Sequence, residues 1–260
     1  MISTWAIILT EYNIIFGGGK FGEKFIKNTK DPILSLIIDT DPSCLLAKQY
    51  PKIDIDEFIK MITLNNSFHC SDYGKDNIFF YVGDIRTAYK LISTKIPKFL
   101  VPTAPIHIIF EVIRIFIKEK FPDLKIKQFK PKFSFQKPDE MFIFSFDKYE
   151  IYFSYADWDE ICPDNCPSPL GYCPFHKRNK PITISDFLEQ QLSKSNYFGF
   201  KSTQIGAGYG GIDGNLIKNQ LDNLFNFIKQ NSNHFQIEIL IGTSCNCHGV
   251  LSGLKIIKED

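Results

Sequence analysis

The chain has 260 residues, of which 44% are hydrophobic and 23% are charged. This is the composition of a globular protein with a sizeable core, and it excludes a mainly disordered or collagen-like chain. The 30 basic residues nearly balance the 29 acidic ones, so no net field draws the protein toward nucleic acid or an anionic membrane.

The order of the predicted elements indicates an α/β fold in two domains. We expect residues 1–120 to form a Rossmann-like domain, with a parallel sheet, that binds a dinucleotide. We expect residues 121–260 to form an α+β domain that is rich in cysteine and holds a metal ion or an iron–sulfur cluster.

The first predicted strand, residues 12–16, runs directly into a glycine-rich turn that is followed by a helix. Residues 17–22 read GGGKFG, which fits the G-x-G-x-x-G pattern of dinucleotide-binding folds. The pattern requires a strand before it and a helix after it, and both are predicted here. Gly17 would allow a tight turn, Gly19 the approach of a pyrophosphate and Gly22 close packing of helix and strand. Two alternatives stay open: another nucleotide such as S-adenosylmethionine, or a glycine-rich turn that binds no nucleotide.

Three more apolar strands follow in chain order, over residues 33–38, 77–82 and 98–101. The first of them ends at Asp39, 17 residues beyond Gly22, close to the spacing of about 20 that is typical of the ribose-binding carboxylate. Such a carboxylate accepts from both ribose hydroxyls and repels a 2′-phosphate, so NAD is favoured over NADP. The alternation of strands with helices predicts parallel pairing.

Residues 12–120 resemble the NAD-binding N-terminal domains of potassium-transport regulators of the TrkA/RCK type. The resemblance rests on residues 17–22 (GGGKFG), 36–42 (LIIDTDP) and 82–84 (VGD). It implies a Rossmann fold in which the three glycines face the pyrophosphate, an aspartate binds the adenosine ribose, and a second aspartate lies at the next strand end. In this sequence those residues are Gly17, Gly19, Gly22, Asp39 and Asp84. The second half does not resemble a potassium-regulator ligand domain, so the channel function is not carried over.

Five of the seven cysteines are clustered in the second half. The N-terminus has no export signal, so we expect a cytoplasmic protein, and in a reducing compartment such clustering indicates metal rather than disulfides. Cys162, Cys166 and Cys173 each precede proline, which predicts a stiff loop that presents their sulfurs together. His176 is near enough in sequence to complete a Cys3His zinc site from this loop alone.

A second group of candidate ligands follows the predicted strand at residues 236–241. We expect one or both of its cysteines to join the loop and to close a metal site, with an iron–sulfur cluster modestly favoured over zinc. Buried free thiols and a structural metal with no catalytic role are the alternatives. The full set of candidate metal ligands is Cys162, Cys166, Cys173, Cys245, Cys247 and His248.

Taken together, these patterns predict an NAD(P)-binding redox protein, an oxidoreductase of undefined substrate. The alternatives are a non-enzymatic nucleotide-binding sensor with a structural zinc site, and a metal-dependent transferase that uses another nucleotide. The expected partner is a small-molecule substrate or a nucleotide. We expect the protein to bind neither nucleic acid nor a membrane, and we leave open whether it forms a homodimer.

Overall fold

The computed structural model describes residues 11–29, 33–63, 77–146, 149–231, 234 and 236–258. It confirms a mixed α/β fold with a parallel N-terminal sheet. The residues form two compact units. Unit 1 contains the residues up to Pro105 together with Asp213–Asn215, and unit 2 contains Ile106–Ile212 and the residues from Leu216 onward.

Unit 1 is a parallel sheet with the strand order β3-β2-β1-β4 and helices between successive strands. All five residues of β1 are buried, as expected of a parallel strand that is covered on both faces. The elements are β1 Tyr12–Phe16, α1 Lys20–Asn28, β2 Leu34–Asp39, a 3-10 turn Leu46–Lys48, α2 Ile55–Thr63, β3 Ile78–Val82, α3 Ile85–Thr94 and β4 Phe99–Pro102.

Unit 1 is discontinuous in sequence. The chain returns to it at Asp213–Asn215, where the Gly214 amide donates to the carbonyl of Lys98 (3.0 Å). A Cβ at Gly214 would overlap the carbonyl oxygen of Pro97, so only glycine fits this backbone approach.

The second half of the chain is dominated by a mixed sheet with the order β11-β10-β12-β13-β7-β6, in which β5 also pairs with β13. Among the described pairs of this sheet, β10–β12 is parallel, and β10–β11, β12–β13, β13–β5, β13–β7 and β6–β7 are antiparallel. The elements are α4 Ile108–Lys120, β5 Leu124–Phe129, β6 Phe142–Phe144, β7 Glu150–Ser154, β8 Gly171–Cys173, β9 Arg178–Lys180, α5 Ile184–Leu192, β10 Tyr197–Gly206, β11 Tyr209–Asp213, α6 Gly214–Gln230, β12 Gln236–Ser244 and β13 His248–Lys258.

Helix α5 covers one face of this sheet. Its buried side chains Phe187 and Leu188 pack into an apolar cluster with Phe153 on β7 and Leu251 on β13. The short hairpin β8–β9 forms a separate two-stranded sheet. It carries Cys173 at the end of its first strand and His176 in its turn.

The division between the units differs from the expected boundary at residue 120. Helix α4 belongs to unit 2, although it follows β4 in a strand–helix alternation that indicated the N-terminal domain. The reason lies at its N-cap. Buried His107 hydrogen-bonds the hydroxyls of Thr243 on β12 and Ser252 on β13, each at 2.9 Å.

In the part of the chain that the structure describes, no helix combines the length and the apolar character needed to cross a membrane.

Burial lowers the pKa of His107 from 6.5 to about 3, which predicts acid sensitivity of unit 2. Between these values the unfolded chain takes up a proton that the folded protein does not. The contribution of His107 to stability is therefore complete above pH 6.5 and is lost as the pH falls toward 3, by at most about 1.4 kcal/mol per pH unit.

Urea denaturation at several pH values between 7.5 and 4.5 measures this slope. We expect a shallower pH dependence in His107→Gln, which keeps hydrogen-bonding groups but has no proton to gain. Equal slopes for the variant and the wild type would contradict the assignment.

Candidate functional site

The glycine turn of unit 1 has the geometry that a dinucleotide fingerprint requires at its first and third glycines. Gly17 has φ +119°, and a Cβ there would lie 2.7 Å from Thr103 Oγ1. A Cβ at Gly22 would lie 2.5 Å from the carbonyl oxygen of Gly17 and 3.3 Å from Ile15 Cγ2. Gly17 therefore permits the turn, and Gly22 permits α1 to pack directly against β1.

Gly19, the second glycine, differs from both because a Cβ there would meet no atom of the described residues within 4 Å. It is also the N-cap of α1, and its position has no side-chain capping hydrogen bond. The first amide groups of a helix need partners other than the helix itself, and the helix dipole favours an anion as that partner. Among the described residues, the Cβ position of Gly19 is thus unfilled at a helix N-terminus, a place where anions bind favourably.

Asp39, at the end of β2, binds the glycine turn itself. One carboxylate oxygen accepts from the amide of Gly18 (2.6 Å) and the other accepts from the amide of Asp41 (2.9 Å). A carboxylate has about four acceptor positions, so ribose hydroxyls can still be bound. The predicted ribose ligand therefore also has a structural role.

Asp84 lies at the end of β3, where the resemblance implied it, and is the N-cap of α3. One oxygen accepts from the amide of Arg86 (2.9 Å), and the other lies 3.2 Å from Arg86 Nε. Both oxygens of Asp84 thus have protein partners.

Sequence reasoning did not identify Thr103, which fastens the glycine turn to β4. Its hydroxyl lies 2.9 Å from the carbonyl oxygen of Gly17 and 3.0 Å from that of Phe16. The sequence signal that could have identified Thr103 is its position directly after β4, the strand that pairs with β1.

In unit 2 the cysteine loop meets the turn between β12 and β13, as expected from the sequence. The side-chain amide of Asn246 donates to the carbonyl of Ser168 (3.3 Å). Ser168 Oγ lies 3.0 Å from Cys247 Sγ, and Cys162 Sγ lies 3.8 Å from His248 Nε2. Segments about 80 residues apart in sequence are thus brought together.

The first cluster is centred on Cys162. Its sulfur lies 3.4 Å from His176 Nε2 as well as 3.8 Å from His248 Nε2. On the other side of its ring, His176 Nδ1 lies 3.4 Å from Glu160 Oε2. Both terminal nitrogens of the Arg178 guanidinium donate to Glu160, and this interaction lowers the pKa of Glu160 to about 2.

The second cluster is centred on Cys247, whose sulfur is buried. Lys180 Nζ, on β9, donates to this sulfur (3.0 Å) and also to the carbonyl of Pro169. Lys180 is only 5% exposed. A buried ammonium requires such partners, and Lys180 and Ser168 together surround Cys247 with polar groups.

The remaining predicted ligands have backbone contacts in the same region. Cys166 Sγ accepts from the amide of Ser168 (3.4 Å), and Cys173 Sγ accepts from the amide of His176 (3.5 Å). The amide of Cys245 donates to the carbonyl of His248 (2.8 Å) and so closes the turn.

The side-chain contacts of the predicted ligands thus lie around two sulfurs: Cys162 meets His248, and Cys247 meets Ser168 and Lys180. Across the described ranges, no group of three or more His, Cys, Asp or Glu side chains is already arranged to hold a metal ion. The physical reason at Cys247 is the ammonium of Lys180, which occupies the neighbourhood of that sulfur. Sequence reasoning left out Lys180 and Ser168, because only their spatial contacts identify them.

Comparison with known proteins identifies the family. A family model described as "Uncharacterized protein, C-terminal domain" (AF_1314_C) matches residues 107–257, more than half of the chain. The chain belongs to this family. The companion model, "Uncharacterized protein, N-terminal domain" (AF_1314_N), matches residues 12–108. The two models meet close to the division between the units at Pro105 and Ile106.

A relative of similar length is an uncharacterized protein of Archaeoglobus fulgidus. It is 27% identical over 247 residues, which cover 94% of this chain and 99% of the relative. No solved structure matches the chain.

The packing of α1 predicts the effect of a methyl group at Gly22. We expect Gly22→Ala to destabilise the protein by about 1–3 kcal/mol, because the new Cβ meets the backbone carbonyl of Gly17, which cannot move aside as a flexible side chain would. The unfolding free energy in urea measures this change. Gly19→Asn is the matched control, since its side chain enters open space, and equal stability of both variants would disprove the close contact.

Proposed function

We propose that this protein binds a dinucleotide in unit 1, with NAD preferred over NADP, and that it acts in redox chemistry. The observation that carries the proposal is the glycine turn. Gly17 makes the turn, Gly22 brings α1 against β1, and Gly19 leaves open space at the helix N-terminus. These are the three separate roles that the fingerprint glycines have in dinucleotide-binding folds.

The position of Asp39 supports the choice of dinucleotide. Its carboxylate lies at the end of β2 and touches the turn through Gly18. A ribose bound beside the turn would reach this carboxylate through its hydroxyls, whereas a 2′-phosphate would meet a like charge.

The chemistry that NAD supplies when bound is hydride transfer, which is the reason for proposing a redox role. The residues of unit 1 would bind and orient the pyrophosphate and ribose. The proposal includes a small-molecule substrate and a cytoplasmic location, where thiols remain reduced. A sensor that binds the dinucleotide without turnover is the alternative to an oxidoreductase.

Calorimetric titration of the full chain with NAD+, NADH, NADPH and S-adenosylmethionine tests the proposal. We expect NAD+ or NADH to bind more tightly than the other two ligands. Binding of S-adenosylmethionine alone, or of none of the four, would overturn it. Oxidation of bound NADH by an artificial electron acceptor then separates the oxidoreductase from the sensor.

Substitutions at Gly19 provide a sharper test because this position tolerates a side chain. Asp is a favourable N-cap residue, so Gly19→Asp should fold at least as stably as the wild type. Its carboxylate would occupy the helix N-terminus and repel the pyrophosphate. We expect a loss of NAD affinity of at least about tenfold, or about 1.4 kcal/mol.

Gly19→Asn is the control for the charge, since it has a similar size and also caps the helix. We expect its loss of affinity to be smaller than that of Gly19→Asp. Wild-type affinity in both variants would show that no phosphate approaches Gly19.

Asp39→Asn tests the role of the carboxylate at the ribose. We expect the preference for NAD over NADP to fall by about tenfold, because the repulsion of the 2′-phosphate is removed. The thermal midpoint should also fall, since the charge-assisted bond to Gly18 is weakened. An unchanged NAD/NADP ratio with a lower midpoint would leave Asp39 a structural role only.

A further inference from the structure

We propose that Cys162, His176 and His248 form a zinc site in unit 2. This inference is independent of dinucleotide binding, because all three residues lie outside unit 1. From the expected candidate ligands it takes Cys162 and His248, and it adds His176, which the sequence placed in an alternative Cys3His zinc site.

Two of the three separations between these ligand atoms match those around one zinc ion, and the side chains would still have to close around it, since no described group of three is already arranged to hold a metal. Zinc binds sulfur at about 2.3 Å and imidazole nitrogen at about 2.0–2.1 Å in tetrahedral geometry, so a ligating sulfur and nitrogen lie about 3.5 Å apart. Cys162 Sγ is 3.4 Å from His176 Nε2 and 3.8 Å from His248 Nε2. Both separations are close to the value for two ligands of one ion.

The outer contacts of His176 match those of a zinc-ligating histidine. Such histidines commonly direct their second ring nitrogen to a carboxylate, which fixes the orientation of the ring. Here Glu160 Oε2 lies 3.4 Å from His176 Nδ1, on the side of the ring opposite to Cys162. Arg178 holds Glu160 in turn and stacks on Phe142, with its guanidinium carbon 4.8 Å from the ring centre.

The backbone fixes two of the three ligands. Cys162 precedes Pro163, and His176 lies in the turn of the β8–β9 hairpin, where Lys177 has φ +51°. His248 is exposed and is the ligand free to adjust. Rotation of its side chain toward Cys162 would shorten the longer of the two distances and close the site around the ion.

The donor set favours zinc over an iron–sulfur cluster. One thiolate and two imidazoles suit zinc, whereas clusters generally require several thiolates. Cys247 has Lys180 and Ser168 as partners, while Cys162 faces the two imidazoles. Zinc binding would displace the thiol proton of Cys162 to solvent, and the fourth coordination position would be available to water.

Metal analysis of the full chain, purified without chelator, is the first test. We expect one zinc per chain, and a metal-free preparation that takes up Zn2+ in calorimetric titration. With Co2+ in place of zinc, we expect the visible absorption of a tetrahedral site together with a thiolate-to-cobalt band in the near ultraviolet.

Variants assign the site to these residues. His248→Ala is the most informative, because an exposed side chain can be removed without disturbing the fold, and it should lose the stoichiometric zinc. Cys162→Ser should lose the thiolate-to-cobalt band. Glu160→Gln should weaken zinc binding about 10- to 100-fold, as expected of an outer-shell carboxylate.

His234→Ala and Cys44→Ser are the matched controls, since each removes the same residue type outside the cluster, and both should keep the metal. Full zinc content in His248→Ala and Cys162→Ser would overturn the proposal, as would absence of zinc uptake by the wild type. A coloured iron–sulfur cluster in anaerobically purified protein would overturn it in favour of the cluster that the cysteine pattern predicts.

Discussion

The close approach of Gly22 to the carbonyl of Gly17 is the contact on which the candidate site of unit 1 depends. It lets α1 begin directly at the end of β1, so the helix N-terminus points at the edge where the parallel strands end. Asp39 and Thr103 then fasten the intervening turn from β2 and from the segment after β4. Ligands bind at this edge of open α/β sheets, and here three neighbouring strands contribute to one short loop.

In unit 2 the constraint is on a loop: the segment from residue 157 to 170 contains no helix or strand. Such a segment needs partners for its backbone groups. It finds them in the turn at Asn246 and in Gln204, whose side-chain amide donates to the carbonyl of Cys166 (2.8 Å). These anchors bring Cys162 and Ser168 against the β12–β13 turn and so create both sulfur clusters.

The sequence was sufficient where the signal was local. The glycine turn, the strand that ends at Asp39 and the strand before Cys245 all follow from patterns within about 20 residues, because strand period and turn chemistry are local properties. The clustering of cysteines also predicted correctly that the loop and the β12–β13 turn would meet.

The remaining features depend on contacts that no local pattern encodes. Lys180 reads as a surface lysine at the end of a polar strand, yet the fold buries it against Cys247. Glu160 reads as part of a solvated turn, yet Arg178 directs it to His176. Helix α4 follows a strand as in a βαβ unit, and only the hydroxyls of Thr243 and Ser252 show that His107 belongs to the second unit.

The return of the chain to unit 1 at Gly214 has a consequence for biosynthesis. Domains generally fold as units while the chain emerges from the ribosome, the N-terminal one first. Here the contact of Gly214 with Lys98 requires residues made more than a hundred positions later. The nascent N-terminal half therefore lacks this backbone hydrogen bond until most of the second half has been made, and a gene cut after residue 106 would encode a first half that never forms it.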